Sequence, residues 1–191
     1  MASKEDRLKY VYLEYLVRFG KPNGYFSFKS EIEEAGMPRE VVVFYWLANE
    51  KRSSNIFCTL GMCSEFMEDD ELAEMHLTVR DQTLDEDQTM AFCRFIANFS
   101  LYPFLHEFAM DWWNLIVDVG QIPVYPDSQS LLIHPEFADE KFTNIQMGDQ
   151  VIKFFNIVPL TKEEAAMVES DGVVKLLDYI EENEIDMFQI R

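Results

Sequence analysis

Two runs of residues constrain the fold of this chain more than anything else in it. Val41-Val42-Val43-Phe44-Tyr45-Trp46-Leu47 and Val151-Ile152-Lys153-Phe154-Phe155-Asn156-Ile157-Val158 are β-branched and aromatic almost throughout. Such side chains favour extended backbone. The first run lacks the polar alternation of a strand with one wet face, so it suits the middle of a sheet covered on both sides. Neither run approaches the roughly 18 apolar residues of a membrane-spanning helix, and no other stretch does.

Further elements assemble around these two. Ser3 with Asp6 reads as a helix cap, and Leu8, Val11, Tyr12, Tyr15, Leu16 and Phe19 recur at three- and four-residue spacing before Gly20 and Pro22 end the helix. Tyr25–Phe28 reads as a short strand, Ser30–Glu33 as a helical turn, and Asn55–Leu60 as a strand closed by Gly61. Glu74–Val79 alternates like a half-buried strand. A second long helix is expected from Leu84, capped by Thr83, with Phe104–Met110 resuming as a helical turn after Pro103. Leu131–His134 is another strand, Thr161 with Glu164 makes a capping box, and Val173–Glu182 is the last helix. About six strands and three principal helices without regular βαβ alternation define an α+β fold. The expected form is a single domain over 1–191 with a mixed or largely antiparallel central sheet and helices packed on it.

Charge narrows the possible partners. The chain carries 35 acids against 16 bases, a net charge of −19, and no Lys or Arg lies between Phe95 and Glu140. This exterior repels phosphate backbones and anionic headgroups, which excludes nucleic acid and membrane as expected partners, and it draws basic proteins. The polar N-terminus is not a secretory signal. Cys58, Cys63 and Cys93 lie on apolar segments, as buried thiols of a cytoplasmic protein do.

Catalytic signatures are missing. The seven glycines form no phosphate-binding loop, and G-x-S-x-G, C-x-x-C and H-E-x-x-H are all absent. His76, His106 and His134, with carboxylates such as Glu74 and Glu107, offer a metal-dependent hydrolase as the least favoured reading, because they lack ligand spacing. No cofactor, metal or catalytic residue is expected. The acidic run Glu68-Asp69-Asp70-Glu71 reads as a solvated loop or a contact for a basic partner, and Trp112-Trp113 as core for at least one of the pair.

The segment Val151–Val158 followed by Pro159-Leu160-Thr161-Lys162-Glu163-Glu164 resembles the suppressor-of-fused domain family, in which a hydrophobic strand runs into Val-Pro-Leu-Thr and a helix opening with acids. Thr59-Leu60-Gly61-Met62 is similar to the family's Thr-Leu-Gly-Met-Ser turn, departing from it by Cys63 before Ser64. Gly120-Gln121-Ile122-Pro123 with Ser130–Ile133 resembles its Gly-x-x-Ile-Pro turn and following strand. The resemblance spans roughly residues 41–183, the best-matching region.

The resemblance implies binding of another protein. Compact bacterial members of the family resemble immunity proteins, or antitoxins, and the chain's length and acidity suit that type. The expected function is neutralisation of a cognate toxin, such as a basic nuclease, by occlusion. The alternative is a protein-binding adaptor without a toxin. Glu68, Asp69, Asp70, Glu71, Asp127, Glu136, Asp139 and Glu140 are the candidate contacts, chosen for loop position and the scarcity of nearby bases.

Overall fold

In a computed structural model, residues 2–30, 34–80, 82–135 and 142–190 are described. Helix α1 (Lys4–Phe19) starts at the expected Ser3–Asp6 capping box and stops at Gly20. Strands β1 (Gly24–Lys29), β2 (Glu40–Trp46), β3 (Ser54–Leu60) and β4 (Leu72–Arg80) then follow as an antiparallel meander, with Phe28 opposite Val41, Val43 opposite Thr59 and Cys58 opposite His76. The long strand β8 (Gln150–Thr161) runs parallel to β4, from Leu72 opposite Ile152 to His76 opposite Asn156. Its other edge is shared. β7 (Asn144–Met147) pairs with its beginning and β6 (Ser128–His134) with its end, and β5 (Leu115–Ile116) lies beyond β6.

The sheet therefore has eight strands, largely antiparallel, with β4–β8 as the one parallel pair among the described residues. The two strands beyond the expected six are β5 and β7, at two and four residues too short to show a period. β4 corrects another expectation. It is buried along all but its last residue, because it sits between β3 and β8 with helices on both faces.

The pleat separates two cores. On one face α2 (Glu86–Phe99) lays Phe92, Cys93 and Ile96 against Val43, Phe57 and Leu77. On the other, α1 lays Val11, Tyr15 and Phe19 against Phe44, Trp46 and Cys58. Further along that second face, α4 (Lys162–Asp171) and α5 (Val173–Glu182) cover Leu132, Val158 and Leu160 with Ala165 and Leu176. The capping box of Thr161 and Glu164 forms as expected. The second helix does not start at Thr83. Asp85 caps it reciprocally with Gln88 in place of Thr83 with Glu86, a pair of the same three-residue spacing, and Leu84 packs on the core. The turn after it, α3 (Tyr102–Leu105), begins ahead of the expected position and takes Pro103 into its first turn, where a missing N–H costs nothing. The helical turn expected at Ser30–Glu33 falls mostly outside the described residues.

Candidate partner-binding surface

A buried carboxylate sets up one end of the sheet. Glu74 of β4, with no solvent exposure, accepts hydrogen bonds from Thr59 Oγ1 at 2.6 Å, the Gly61 amide at 2.9 Å and the Cys63 amide at 3.0 Å. Burial pushes its pKa up, and the bonds from Cys63, Thr59 and the Gly61 amide oppose that rise. Arg7 of α1 holds the same turn from outside, donating Nε to the Cys63 carbonyl and Nη2 to the Ser64 carbonyl, both at 2.7 Å. Gly61 has a φ of 146°, and a Cβ there would lie 2.3 Å from the Glu40 carbonyl oxygen, so only glycine fits.

This turn delivers the acidic run to the surface. After it come Glu65, the exposed ring of Phe66 (37%) and a 3₁₀ turn over Glu68–Asp70, closed by the Met67 amide on the Glu71 carbonyl at 2.9 Å. Phe66 forms a ridge between two clefts. One, of about 330 Å³, is lined by Asp70, Glu71, Asp149, Val151 and Lys153. The other, of about 230 Å³, is lined by Glu34, Met37, Glu68, Phe104 and Glu107. Lys153 is the one base among their described linings, and it is already engaged. It donates to Glu71 at 2.6 Å and Asp111 at 3.0 Å and lies 5.3 Å from the centre of the Trp112 ring. Burial pulls its pKa down, and the two carboxylates outweigh that and hold it above the ordinary value. What remains is an anionic surface with an aromatic projection, suited to cationic side chains.

The structure brings together part of the expected contact set. Glu68, Asp70 and Glu71 line these clefts, and Asp69 belongs to the same 3₁₀ turn. Asp127 is elsewhere. It precedes Ser128, which pairs with Thr161, whereas the clefts lie near Ile152; nine strand residues separate them, about 30 Å. Glu136, Asp139 and Glu140 lie outside the described residues. Glu34, Glu107, Asp111, Asp149 and Phe66 were not anticipated. Glu107 and Asp111 do fall in the base-free stretch, the one signal that pointed to them.

The histidines are dispersed differently from what a metal centre needs. His76 and His134 both lie opposite Asn156, on the strands flanking β8, and both are buried. His76 Nε2 meets the Tyr15 hydroxyl at 3.0 Å, and burial pushes its pKa well below the ordinary value. His106 is exposed against the Tyr102 ring. Among the described residues no three His, Cys, Asp or Glu side chains are placed to hold a metal. All three cysteines are free and buried. Of the two tryptophans, Trp112 packs on the core and Trp113 is exposed. No helix among the described residues is long and apolar enough to cross a membrane.

A mixed sheet clad with helices on both faces, with carboxylates gathered around Phe66 at one end, is the α+β architecture in which these clefts sit. Comparison with known proteins gives the family. The family model for Suppressor of fused protein (SUFU) matches residues 37–191, more than the 41–183 expected, and the chain belongs to that family. A SUFU homologue from Neisseria gonorrhoeae FA 1090 shares the fold with a TM-score of 0.67 at 15% identity, over 94% of this chain and 91% of that one. A chain of the Sufu–Fu complex matches with a TM-score of 0.62 at 10% identity, over 97% and 85%. Drosophila Suppressor of Fused matches at 0.61 and 10% identity over 94% of this chain, which spans 46% of that protein's length. At such identities the likeness is one of fold. No curated protein matches by sequence.

Proposed function

We propose that the chain is a cytoplasmic immunity protein, an antitoxin without catalytic activity, that occludes a basic toxin domain through the clefts on either side of Phe66. One observation carries this reading: carboxylates from four separate segments converge around an exposed aromatic ring, and the single lysine among them is already neutralised. An aromatic anchor ringed by charge supplies affinity and fast encounter together. The presence of a family member in a Sufu–Fu complex supports a protein as the partner. A nuclease toxin brings the Lys and Arg it uses on nucleic acid, and those would meet Glu68, Asp69, Asp70 and Glu71 with Glu107 and Asp149.

Co-expression with toxins encoded beside the gene tests this. The expected outcome is rescue of growth and co-purification with one of them. Glu68→Lys together with Asp70→Lys should slow association at least about tenfold at low salt and little at high salt. Failure to bind or detoxify any neighbouring toxin ends the immunity reading. Capture of a regulatory protein instead, with the same sensitivity to charge reversal, assigns the surface to an adaptor.

A further inference from the structure

β1 is an edge strand, and its sequence suits pairing with itself. The Ser30 amide donates to the Arg39 carbonyl at 3.0 Å, which fixes the phase of the β1–β2 ladder. By antiparallel alternation the backbone groups of Gly24, Phe26 and Phe28 face β2, and those of Tyr25, Ser27 and Lys29 face away from it. Among the described residues β1 pairs on one side only. A six-residue edge with three aromatics is an open template for another strand, and Lys29 is its one protective charge.

We propose that β1 pairs antiparallel with β1 of a second copy of this chain, about a twofold axis at Ser27. That register uses the strand's whole length and matches it to itself on both faces. The outward-facing backbones of Tyr25 and Lys29 bond those of Lys29 and Tyr25 in the second copy, and Ser27 bonds Ser27. On the α2 face Phe26 meets the second copy's Phe28 at the close, non-hydrogen-bonded spacing where aromatic cross-strand pairs are strongest. On the opposite face the exposed Tyr25 (63%) stands across from the second copy's Lys29, a cation–π arrangement repeated by the symmetry. At the axis itself stand two small serine side chains.

Charge permits a second copy at this edge, although Glu40, bonded by Ser27, and Asp85 and Glu86, beside Phe26, lie close to it. A molecule of net charge −19 repels its own kind, but residues 15–30 hold no Asp or Glu and carry Arg18, Lys21 and Lys29. The two Lys29 side chains would stand about 14 Å apart along the strands, beyond the roughly 8 Å screening length of physiological salt. Each also lies opposite Glu40 of its own β2. The pairing closes after two copies and leaves no β1 edge free, so it ends in a dimer and not a fibre.

Sedimentation velocity over rising protein concentration should give a species of twice 22.5 kDa. Ser27→Lys, which sets two ammonium groups face to face at the axis, should return it to a single chain with unchanged circular dichroism. In Ser27→Cys the paired Cα atoms would be about 5.5 Å apart, within disulfide reach, so mild oxidation should yield a covalent dimer. The native cysteines are buried and do not compete. Val17→Cys, at an exposed position on α1 (82%), should stay uncrosslinked under the same conditions. A wild type that remains a single chain throughout overturns the proposal, and so does a dimer that survives Ser27→Lys. If Ser27→Lys fails to fold, the cysteine variant decides alone: no crosslink, no β1 pairing.

Discussion

Helices α1 and α2 are of similar length, lie on opposite faces of one sheet, and are held there by different physics. α2 meets the sheet through apolar side chains. Phe92, Cys93 and Ile96 are fully buried, Phe92 packs on Phe57 with ring centres 5.2 Å apart, and the hydroxyl of Thr89 bonds back within its own helix. α1 is tied at defined points along its length. Arg7 donates to the Cys63 and Ser64 carbonyls, the Tyr15 hydroxyl donates to the Thr59 carbonyl at 2.8 Å, and at the helix end Trp46 Nε1 reaches the Gly20 carbonyl at 3.0 Å. Burial is nearly indifferent to small slips of a helix over a sheet, whereas hydrogen bonds have fixed reach and direction. The α1 face is therefore the one that fixes position, and it fixes the turn from which the acidic surface grows.

The sharpest way to break this contrast is a cavity on the α2 face. Phe92→Ala should cost about 3–5 kcal/mol, read as a lower urea midpoint with an unchanged slope, and should leave the acidic turn intact. Arg7→Met should cost less, about 2 kcal/mol, by leaving the Ala2, Cys63 and Ser64 carbonyls without their donors. Its distinctive mark is faster hydrogen exchange at the Gly61 and Cys63 amides, which Phe92→Ala should not produce at equal destabilisation.

Acid should act on the α1 face through His76. Its folded-state pKa lies below the ordinary 6.5, so the unfolded chain binds the extra proton. The stability it contributes is complete above pH 6.5 and is lost as the pH falls, at up to about 1.4 kcal/mol per pH unit. His76→Gln should remove that slope, and the same change at the exposed His106 should not. Glu74 works in the opposite sense. Its raised pKa makes stability fall as the pH climbs above the carboxylate range, so the His76→Gln curve should bend that way once the larger slope is gone. The smallest effect is expected from Tyr15→Phe, about 1 kcal/mol, which keeps the ring in place and removes the bonds to the Thr59 carbonyl and His76.

The same contrast explains what could be read from sequence. The caps at Ser3 and Thr161 and the strands holding Val41–Trp46 and Val151–Val158 were legible because each depends on residues adjacent in the chain. Buried Arg7 was not. Periodicity assigns a core face by apolar spacing, and it picked out Leu8 and Leu16 where the structure buries Arg7 beside Val11, Tyr15 and Phe19. An arginine goes inside only when distant carbonyls await it, and those of Cys63 and Ser64 are more than 50 residues away. β4 was misjudged for a similar reason, since polar Glu74 and His76 mimic a wet face until Thr59 of β3 and Tyr15 of α1 are in place to meet them. The candidate surface was half visible. The run at 68–71 declares itself, whereas Glu34, Glu107, Asp111 and Asp149 join it only through the sheet.

The parallel pairing of β4 against β8 has a consequence for how the molecule is made. Strands β1 to β4 are neighbours along the chain and can zip up by short hairpins as they leave the ribosome. β8 emerges some 70 residues after β4 is complete. Until then β4 has an open edge, and closing a loop of that length is the slow, entropically costly event of the pathway. The β1–β4 meander thus waits, half clad and prone to wrong pairings, for a strand that follows only after α2, α3 and three shorter strands.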